Sequence, residues 1–400
     1  MLILVSDLHL REGARSHLSR VGQFARFWER IEQTRRDEVA HLCIVGDLFD
    51  LVRSPSWLAT PVRPYHEPSP ELEAEVLALV RRTVAAEKDF LGLIRAKIES
   101  GALVLDYVIG NHDRLLNQAP RARAVVREAL GIPGGDAPFP TEARFPEYGV
   151  LAYHGHVVDA LCSDPSGAPP LSDMIAPELI VRFPDELRRA YGFDHPHLDD
   201  IDDVRPIIAV PTWVRTLARD ELHVGDKITR VWSGLVEQFL DNRMVADWFR
   251  SNHRRFKLDF AQKVKLLLSL SARRGLGADS KLTSLNGFLF KLLDSKFAHA
   301  AVRALERPEN RSLRYVVNGH THFAGMTPLG LVEGKSACYF NVGTWRTVHQ
   351  LGNVARGRPS FLAYDAMAYL VFFPKGDELG REFEWWQGAA TSLESSAPVK

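Results

Sequence analysis

The stretch VNGHTHFAG, residues Val317–Gly325, comes at the end of a short β-branched run. It contains two histidines that are separated by one residue. The run is typical of a buried strand, and residues i and i+2 of an extended segment point to the same side. On that geometry His320 and His322 face one point in space, whereas Thr321 faces away. Convergent imidazoles are typical of a metal site, but histidines also serve as hydrogen-bonded core residues, so the pair needs partners elsewhere in the chain.

Earlier segments of the chain repeat this order of an apolar strand followed by polar residues. They are MLILVSDLHL at the chain start, AHLCIVGDLFD, ALVLDYVIGNHD and YGVLAYHGH. Short buried strands that alternate with amphipathic helices predict an α/β core, whose functional sites lie where strands end in loops. Every polar cluster of these segments lies at such a predicted strand end.

The helical pattern becomes continuous after the fourth of these segments. We assign residues 1–156 to the first part of the core, 157–312 to a large helical insertion that forms a lid or cap, and 313–390 to the second part of the core. A separately folding second domain is the alternative for the insertion. Residues 391–400 form a polar tail.

Composition narrows the class of protein. The 400 residues contain 50 basic and 50 acidic side chains, so no global field favours nucleic acid or an anionic membrane. The three cysteines, Cys43, Cys162 and Cys338, match no paired zinc or redox motif and are expected to be reduced, buried side chains. No apolar run approaches the roughly 20 residues of a membrane span. We expect a cytoplasmic protein, with peripheral membrane contact as an alternative; the oligomeric state stays open.

The polar clusters contain carboxylates, one amide and imidazoles but no thiolates. This set of oxygen and nitrogen ligands suits Mn²⁺, Fe or Zn²⁺. The residues that carry it are Asp7, His9, Asp47, Asp50, Asn111, His112, His154, His320 and His322.

The motifs D-x-H, G-D-x-x-D, G-N-H-D, H-G and G-H-x-H occur here in the order that resembles the calcineurin-like metallophosphoesterases. The resemblance implies a four-layer αββα sandwich of two mixed β-sheets flanked by helices, with two divalent ions at the strand ends. Mn²⁺ is the ion that we expect first. It also implies hydrolysis of a phosphoester by metal-bound hydroxide, without a covalent enzyme intermediate. Carried over by position, the ligands of one ion are Asp7, His9 and His322, and those of the other are Asn111, His154 and His320.

The resemblance assigns three further roles. Asp47 bridges the two ions, and we expect each of its oxygens to face one of them. His112 is the proton donor for the leaving group, and Asp50 is the carboxylate that orients it. Such a partner fixes the tautomer and favours the protonated ring; a loop cap is the alternative role for Asp50.

The substrate stays open between a phosphomonoester, a phosphodiester and a pyrophosphate. The chain looks similar to bacterial enzymes that cleave the pyrophosphate of UDP-diacylglucosamine, but His112 and His156 stand where those typically have arginine and aspartate. It also looks similar to the branch of DNA nucleases, which its balanced charge disfavours. An inactive scaffold of the same fold is a third alternative. An apolar lid over the site would suit a lipidic or nucleotide-linked phosphoester.

Three features have two interpretations each. His156 either contacts substrate or donates a hydrogen bond behind the ligands, and Arg114 either reaches a phosphate oxygen or forms an ordinary ion pair. The stretch FDHPHLDDIDD, residues 193–203, either holds a third metal or is a solvated acidic loop, and we favour the solvated loop.

Overall fold

Alternating apolar residues build the strands at the centre of the molecule, as a computed structural model of the chain shows. The structure describes residues 1–13, 20–35, 38–163, 168–221, 223–252, 260–272, 296–332, 334–352 and 359–390. The predicted tail at 391–400 lies outside them. The strands are β1 Leu2–Val5, β2 Ala40–Val45, β3 Leu103–Val108, β4 Glu142–Phe145, β5 Val150–Tyr153, β6 Val204–Arg205, β7 Tyr315–Asn318, β8 Gly325–Val332, β9 Lys335–Asn341, β10 Thr347–Leu351, β11 Phe361–Phe372 and β12 Phe383–Ala390.

The strands form two mixed sheets. The first has the order β3-β2-β1-β11-β10-β6, with β12 paired to β11, and the second has the order β4-β5-β7-β9-β8. Strands β1, β2 and β3 are parallel neighbours, and β5, β7 and β9 are parallel neighbours in the other sheet. Their carboxyl ends carry the loops with the predicted site residues.

The helices that the structure describes lie between these strands along the chain. Their bounds are α1 Arg20–Arg35, α2 Pro70–Ala86, α3 Lys88–Glu99, α4 Pro120–Leu130, α5 Leu171–Ile175, α6 Arg182–Tyr191, α7 Val210–Asp220, α8 Gly225–Asp241, α9 Arg243–Ser251, α10 Phe260–Ala272 and α11 over 296–305. A π-helical turn, Ala176–Val181, joins α5 to α6. Shorter 3₁₀ turns cover Pro55–Ala59, Arg114–Gln118, His156–Val158, Pro196–Asp203, Ile207–Ala209 and Pro308–Asn310.

Three apolar layers separate the sheets and helices. Ile3 on β1 faces the helices α1 to α4, whereas its neighbours Leu2 and Leu4 face the second sheet. The outer face of the second sheet packs through Val316 against α11, which contributes Phe297. The order is therefore helices, sheet, sheet, helix, and the predicted four-layer αββα sandwich is confirmed.

The helices α5 to α10 have a core of their own, built around Phe183, Trp232 and Trp248. The short strand β6 leaves this group and pairs with β10 at the edge of the first sheet. Helix α11, at the end of the predicted insertion, packs instead on the second sheet. None of the helices that the structure describes is both long and apolar enough to cross a membrane.

The acidic stretch is only partly the solvated loop that the sequence favoured: its last carboxylates pair with cationic side chains of the core, whereas Asp194 and His197 are exposed. Asp202 Oδ2 lies 2.5 Å from Arg11 Nη1, and Asp203 Oδ1 lies 2.6 Å from Arg346 Nη2. Asp199 Oδ2 pairs at 2.6 Å with Arg188 Nη2 within the insertion. Charge patterning could not show this, because the partner arginines of Asp202 and Asp203 come from distant parts of the core.

Candidate metal centre

The five predicted clusters meet at one edge of the sandwich. Asp7 and His9 follow β1, Asp47 follows β2, Asn111 follows β3, His154 follows β5, and the two histidines of GHTH follow β7. Because parallel strands end at the same edge of a sheet, these loops lie side by side. The structure thus brings all seven predicted ligands together.

The first ligand group consists of Asp7, His9 and His322. Asp7 Oδ1 lies 3.5 Å from His9 Nε2 and 3.3 Å from His322 Nε2, and the two imidazole nitrogens are 3.0 Å apart. All three side chains are buried. This is the spacing of donor atoms that surround one point, and the group can hold a metal ion.

The second group consists of Asn111, His154 and His320. Asn111 Oδ1 lies 3.1 Å from His154 Nε2 and 3.0 Å from His320 Nδ1. The two histidines of GHTH therefore belong to different groups, as the resemblance implied.

Asp47 lies between the two groups. Its Oδ2 is 3.1 Å from His154 Nε2 and 3.7 Å from His9 Nε2. Its Oδ1 accepts the backbone N–H of His112 at 2.8 Å. One oxygen therefore faces both groups, whereas the adjacent loop occupies the other; that each oxygen faces one ion stays a prediction.

The backbone at the ligands is unusual. Among the described residues, those other than glycine with left-handed φ are Asp7, His9, Asp47, His320 and His322, with φ between 49° and 73°. Residues with a side chain rarely adopt this backbone conformation, and backbone strain of this kind is typical of functional sites. The sequence predicted an extended segment for His320 and His322, and this prediction was wrong. Strand β7 ends at Asn318, and the turn that follows sets the direction of the two rings.

Two glycines allow the loops to approach one another. A Cβ at Gly319 would overlap Ser6 Oγ and Asp7 Oδ2, and a Cβ at Gly110 would overlap Asp47 Oδ1. A side chain at either position would push a ligand aside.

Divalent ions fit this donor set. Among the described residues, no hydrogen-bond donor reaches Asp7 Oδ1, although the atom is buried beside two imidazoles. Burial alone would raise the pKa of the Asp7 carboxyl, but the charges of His154 and His322 hold it well below its usual value. A divalent ion held by this carboxylate and by neutral imidazoles would supply the same compensating positive charge.

Outer contacts hold the imidazoles in place. His154 Nδ1 lies 2.8 Å from the carbonyl oxygen of Val45, and His320 Nε2 lies 3.1 Å from Asp159 Oδ2. Such contacts fix which ring nitrogen faces a metal. Asp159 was missed in the sequence, because nothing local to it indicates that it reaches GHTH. Cys162 lies next to Asp159, but burial raises the pKa of its thiol well above the usual value, which disfavours a thiolate ligand.

The predicted proton donor His112 contacts its predicted partner. His112 Nδ1 lies 2.8 Å from Asp50 Oδ1, which also accepts the backbone N–H of Arg53, so Asp50 both orients the ring and caps its loop. Arg53 Nη2 lies 2.9 Å from His112 Nε2. Burial and the Arg53 charge lower the pKa of His112 to about 4 despite Asp50. The expected protonated ring is therefore neutral at pH 7 in this state.

His156 and Arg114 line a second cavity, which His154 also lines. Arg114 Nε donates to Asp173 Oδ2 at 2.5 Å, and its Nη2 donates to the carbonyl oxygen of Pro64. This geometry favours the ion-pair interpretation of Arg114. His156 lies next to His154, and burial and the charge of His154 lower the pKa of His156 to about 3.

A cavity of about 220 Å³ opens beside the ligand groups. Asp47, Asn111, His320 and His322 line its polar end, together with Arg53 and Arg205. Its apolar walls come largely from the insertion and from α11, and include Leu161, Ile207, Ile208 and Phe297. Neither arginine was singled out from the sequence, because neither belongs to a motif.

Comparisons with known proteins agree with the motif order. The family model of the calcineurin-like phosphoesterases matches residues 1–324. The match therefore runs from the first strand through both histidines of GHTH. A comparison with curated proteins found no match.

Proposed function

The chain belongs to the calcineurin-like phosphoesterase family, and we propose that it is a dinuclear, metal-dependent phosphoesterase. The observation that carries the proposal is Asp47 Oδ2, which faces both ligand groups at once. One group would consist of Asp7, His9 and His322, the other of Asn111, His154 and His320. Seven buried or half-buried ligands from five loops have no evident purpose in packing alone.

Two bound divalent ions would lower the pKa of a shared water and orient the phosphoryl oxygens. The neutral amide of Asn111 limits the negative charge of the protein ligands, so the loaded site keeps a positive charge for a phosphate. Mn²⁺ is the first choice for this oxygen and nitrogen set, with Fe and Zn²⁺ as alternatives.

His112 would supply the proton that the leaving group needs from its Nε2, because its Nδ1 faces Asp50. Arg53 Nη2 donates to that Nε2 in this state, so the role requires Arg53 to turn to the substrate and the ring to take up a proton before the transfer. Asp50 Oδ2 also lies 3.5 Å from His9 Nδ1, so one carboxylate positions a metal ligand and the proton donor together.

The cavity supports a phosphoester with an apolar group, such as a lipidic or nucleotide-linked substrate. Its metal end is polar, and its walls at Leu161, Ile207 and Ile208 are apolar. The same residues border a smaller apolar cavity inside the core of the insertion. We propose that the insertion, 157–312, forms one wall of the substrate site as a cap on the core.

A hydrolysis screen tests the proposal. Protein stripped with a chelator is offered Mn²⁺ and three classes of substrate: a p-nitrophenyl monoester, a bis-p-nitrophenyl diester and a pyrophosphate. We expect turnover of at least one class that disappears on chelation and returns with Mn²⁺. No turnover of any class by protein that has taken up metal would refute the proposed function.

A further inference from the structure

Two arginines outside every sequence motif lie beside the ligand groups. Arg53 follows the loop of β2 in the core, and Arg205 ends β6 in the insertion. They are 5% and 7% exposed, and both line the cavity that contains His112 and His322. Buried guanidinium groups in a cavity need an explanation, because such groups are normally paired with carboxylates.

One carbonyl group sets the spacing of the two arginines. Arg53 Nη1 and Arg205 Nη1 both donate to the backbone oxygen of Asp202, at 2.7 Å and 2.8 Å. The other terminal nitrogens point to the imidazoles of the site. Arg53 Nη2 lies 2.9 Å from His112 Nε2, and Arg205 Nη2 lies 3.4 Å from His322 Nε2. The pair is therefore built as a unit that faces the centre.

The surrounding carboxylates pair with Arg53 but not with Arg205. Arg11, Arg53 and Arg346 each lie within ion-pair distance of Asp50, and Asp202 and Asp203 provide further carboxylates. Within the described part of the chain, no carboxylate lies within 4.0 Å of Arg205. A buried cation without a carboxylate partner favours an anion in the cavity.

Metal binding would remove the acceptor that Arg205 Nη2 now faces. If His322 Nε2 donates its lone pair to an ion, as the proposed function requires, it cannot accept a hydrogen bond. The Nη2–H group would then lie buried beside the ions without an acceptor, which is unfavourable. An oxygen of the substrate can take that place.

We propose that Arg53 and Arg205 form a clamp for a phosphoryl oxygen that the two ions do not hold, so that the site selects phosphomonoesters and pyrophosphates over simple diesters. The proposal rests on the proposed function. A diester has two non-bridging oxygens, which two ions can occupy. A monoester has a third non-bridging oxygen, and a pyrophosphate has further non-bridging oxygens on its second phosphorus atom. Guanidinium forks match such oxygens well.

The test compares R205Q with R123Q, a matched control. Arg123 is as buried as Arg205 and likewise donates to backbone carbonyl oxygens, but it does not line the cavity beside the ligand groups. The first measurement is binding of inorganic phosphate to Mn²⁺-loaded protein by calorimetry. The second is the ratio of kcat/KM for p-nitrophenyl phosphate to that for bis-p-nitrophenyl phosphate. For R205Q we expect each to fall about tenfold or more at unchanged metal content, whereas R123Q stays within about twofold.

Other outcomes separate the clamp from the proposed function. Wild-type phosphate affinity and an unchanged ratio in R205Q at full metal content would overturn the clamp and leave the phosphoesterase proposal standing. A wild-type protein that binds metal but turns over no ester would instead overturn the phosphoesterase proposal. If R205Q does not fold, the same two measurements on R205K and R53Q decide, because R205K keeps the charge but loses the fork.

Discussion

Asp47 Oδ2 is the atom at which the two ligand groups meet, so Asp47 is the residue whose charge matters most. Asp47→Asn removes one negative charge from the point between the two proposed ions. We expect metal content to fall from about two ions per chain to one or fewer, and turnover to fall to background. Elemental analysis after dialysis, followed by a hydrolysis assay, measures both.

Asp106→Asn is the matched control for that change. Asp106 is an Asp on the neighbouring strand β3, half-exposed and paired with His41 away from the centre. It should keep full metal content and turnover. Metal content of two in Asp47→Asn would show that this carboxylate does not bridge.

His112 should matter for the rate and not for the metals. His112→Asn removes the proposed acid, so kcat for an alkyl phosphate should fall by roughly 10²–10⁴. The fall should be far smaller for p-nitrophenyl phosphate, because p-nitrophenolate leaves without a proton. Equal losses on both substrates would exclude the acid role, and metal content shows whether the site is intact.

The predictable residues are those that directly follow a strand. Asp7, Asn111 and His154 could be found because a local pattern marks the strand and its end. Arg53 and Arg205 could not, since only the tertiary fold brings them to the cavity. The motif indicated only the carboxylate partner of His112 and not Arg53, whose charge together with burial lowers the pKa of the ring in this structure.

At the scale of elements, ion pairs join the insertion to the core through the 3₁₀ turn Pro196–Asp203. Asp203 pairs with Arg346, and its side chain is 18% exposed. Asp203→Asn should therefore lower the free energy of unfolding by about 1.5–3 kcal/mol, the range of a hydrogen bond to a charged group. Urea unfolding at pH 7 measures this.

The pH dependence of this loss has a definite sign. Burial would raise the pKa of Asp203, but the charges of Arg346 and Arg11 lower it overall. Its stabilisation is present above the unfolded pKa of about 3.9 and disappears as the pH falls through the lower folded value. Asp199 pairs with Arg188 within the insertion, and this pair is more exposed. Asp199→Asn should therefore lower the free energy of unfolding by about 1 kcal/mol or less. Equal costs for both variants would contradict a joint between insertion and core.

The sequence predicted a helical insertion but not how its helices attach to the sheets. Its helices have clear amphipathic periodicity, whereas β6 has two residues and no period to detect. The carboxylates of Asp202 and Asp203 look like a solvated run until their partners Arg11 and Arg346 are known. Attachment depends on contacts between distant segments, and these leave no local pattern.

For the whole molecule, the cavity between insertion and core should select the substrate. Ile207→Glu places a charge on its apolar wall, so KM for an acylated phosphoester should rise about tenfold, while p-nitrophenyl phosphate is affected little. Leu217→Glu is the control. Leu217 lies on α7 and is half-buried, as Ile207 is, but it does not line the cavity. A parallel loss on both substrates would remove the basis for an apolar subsite.

The four-layer sandwich was predictable because the motif order resembled a family whose architecture is set by those same strand ends. Sequence periodicity alone indicated only an α/β core. The order of strands, with β11 between β1 and β10, depends on pairings across more than 300 residues, such as Leu2 with Phe372.

Anomalous diffraction from a Mn²⁺-soaked crystal tests the central claim most directly. We predict two peaks per chain, one among Asp7, His9 and His322 and the other among Asn111, His154 and His320, with Asp47 between them. A single peak, or none at this edge of the sandwich at saturating Mn²⁺, would contradict the account.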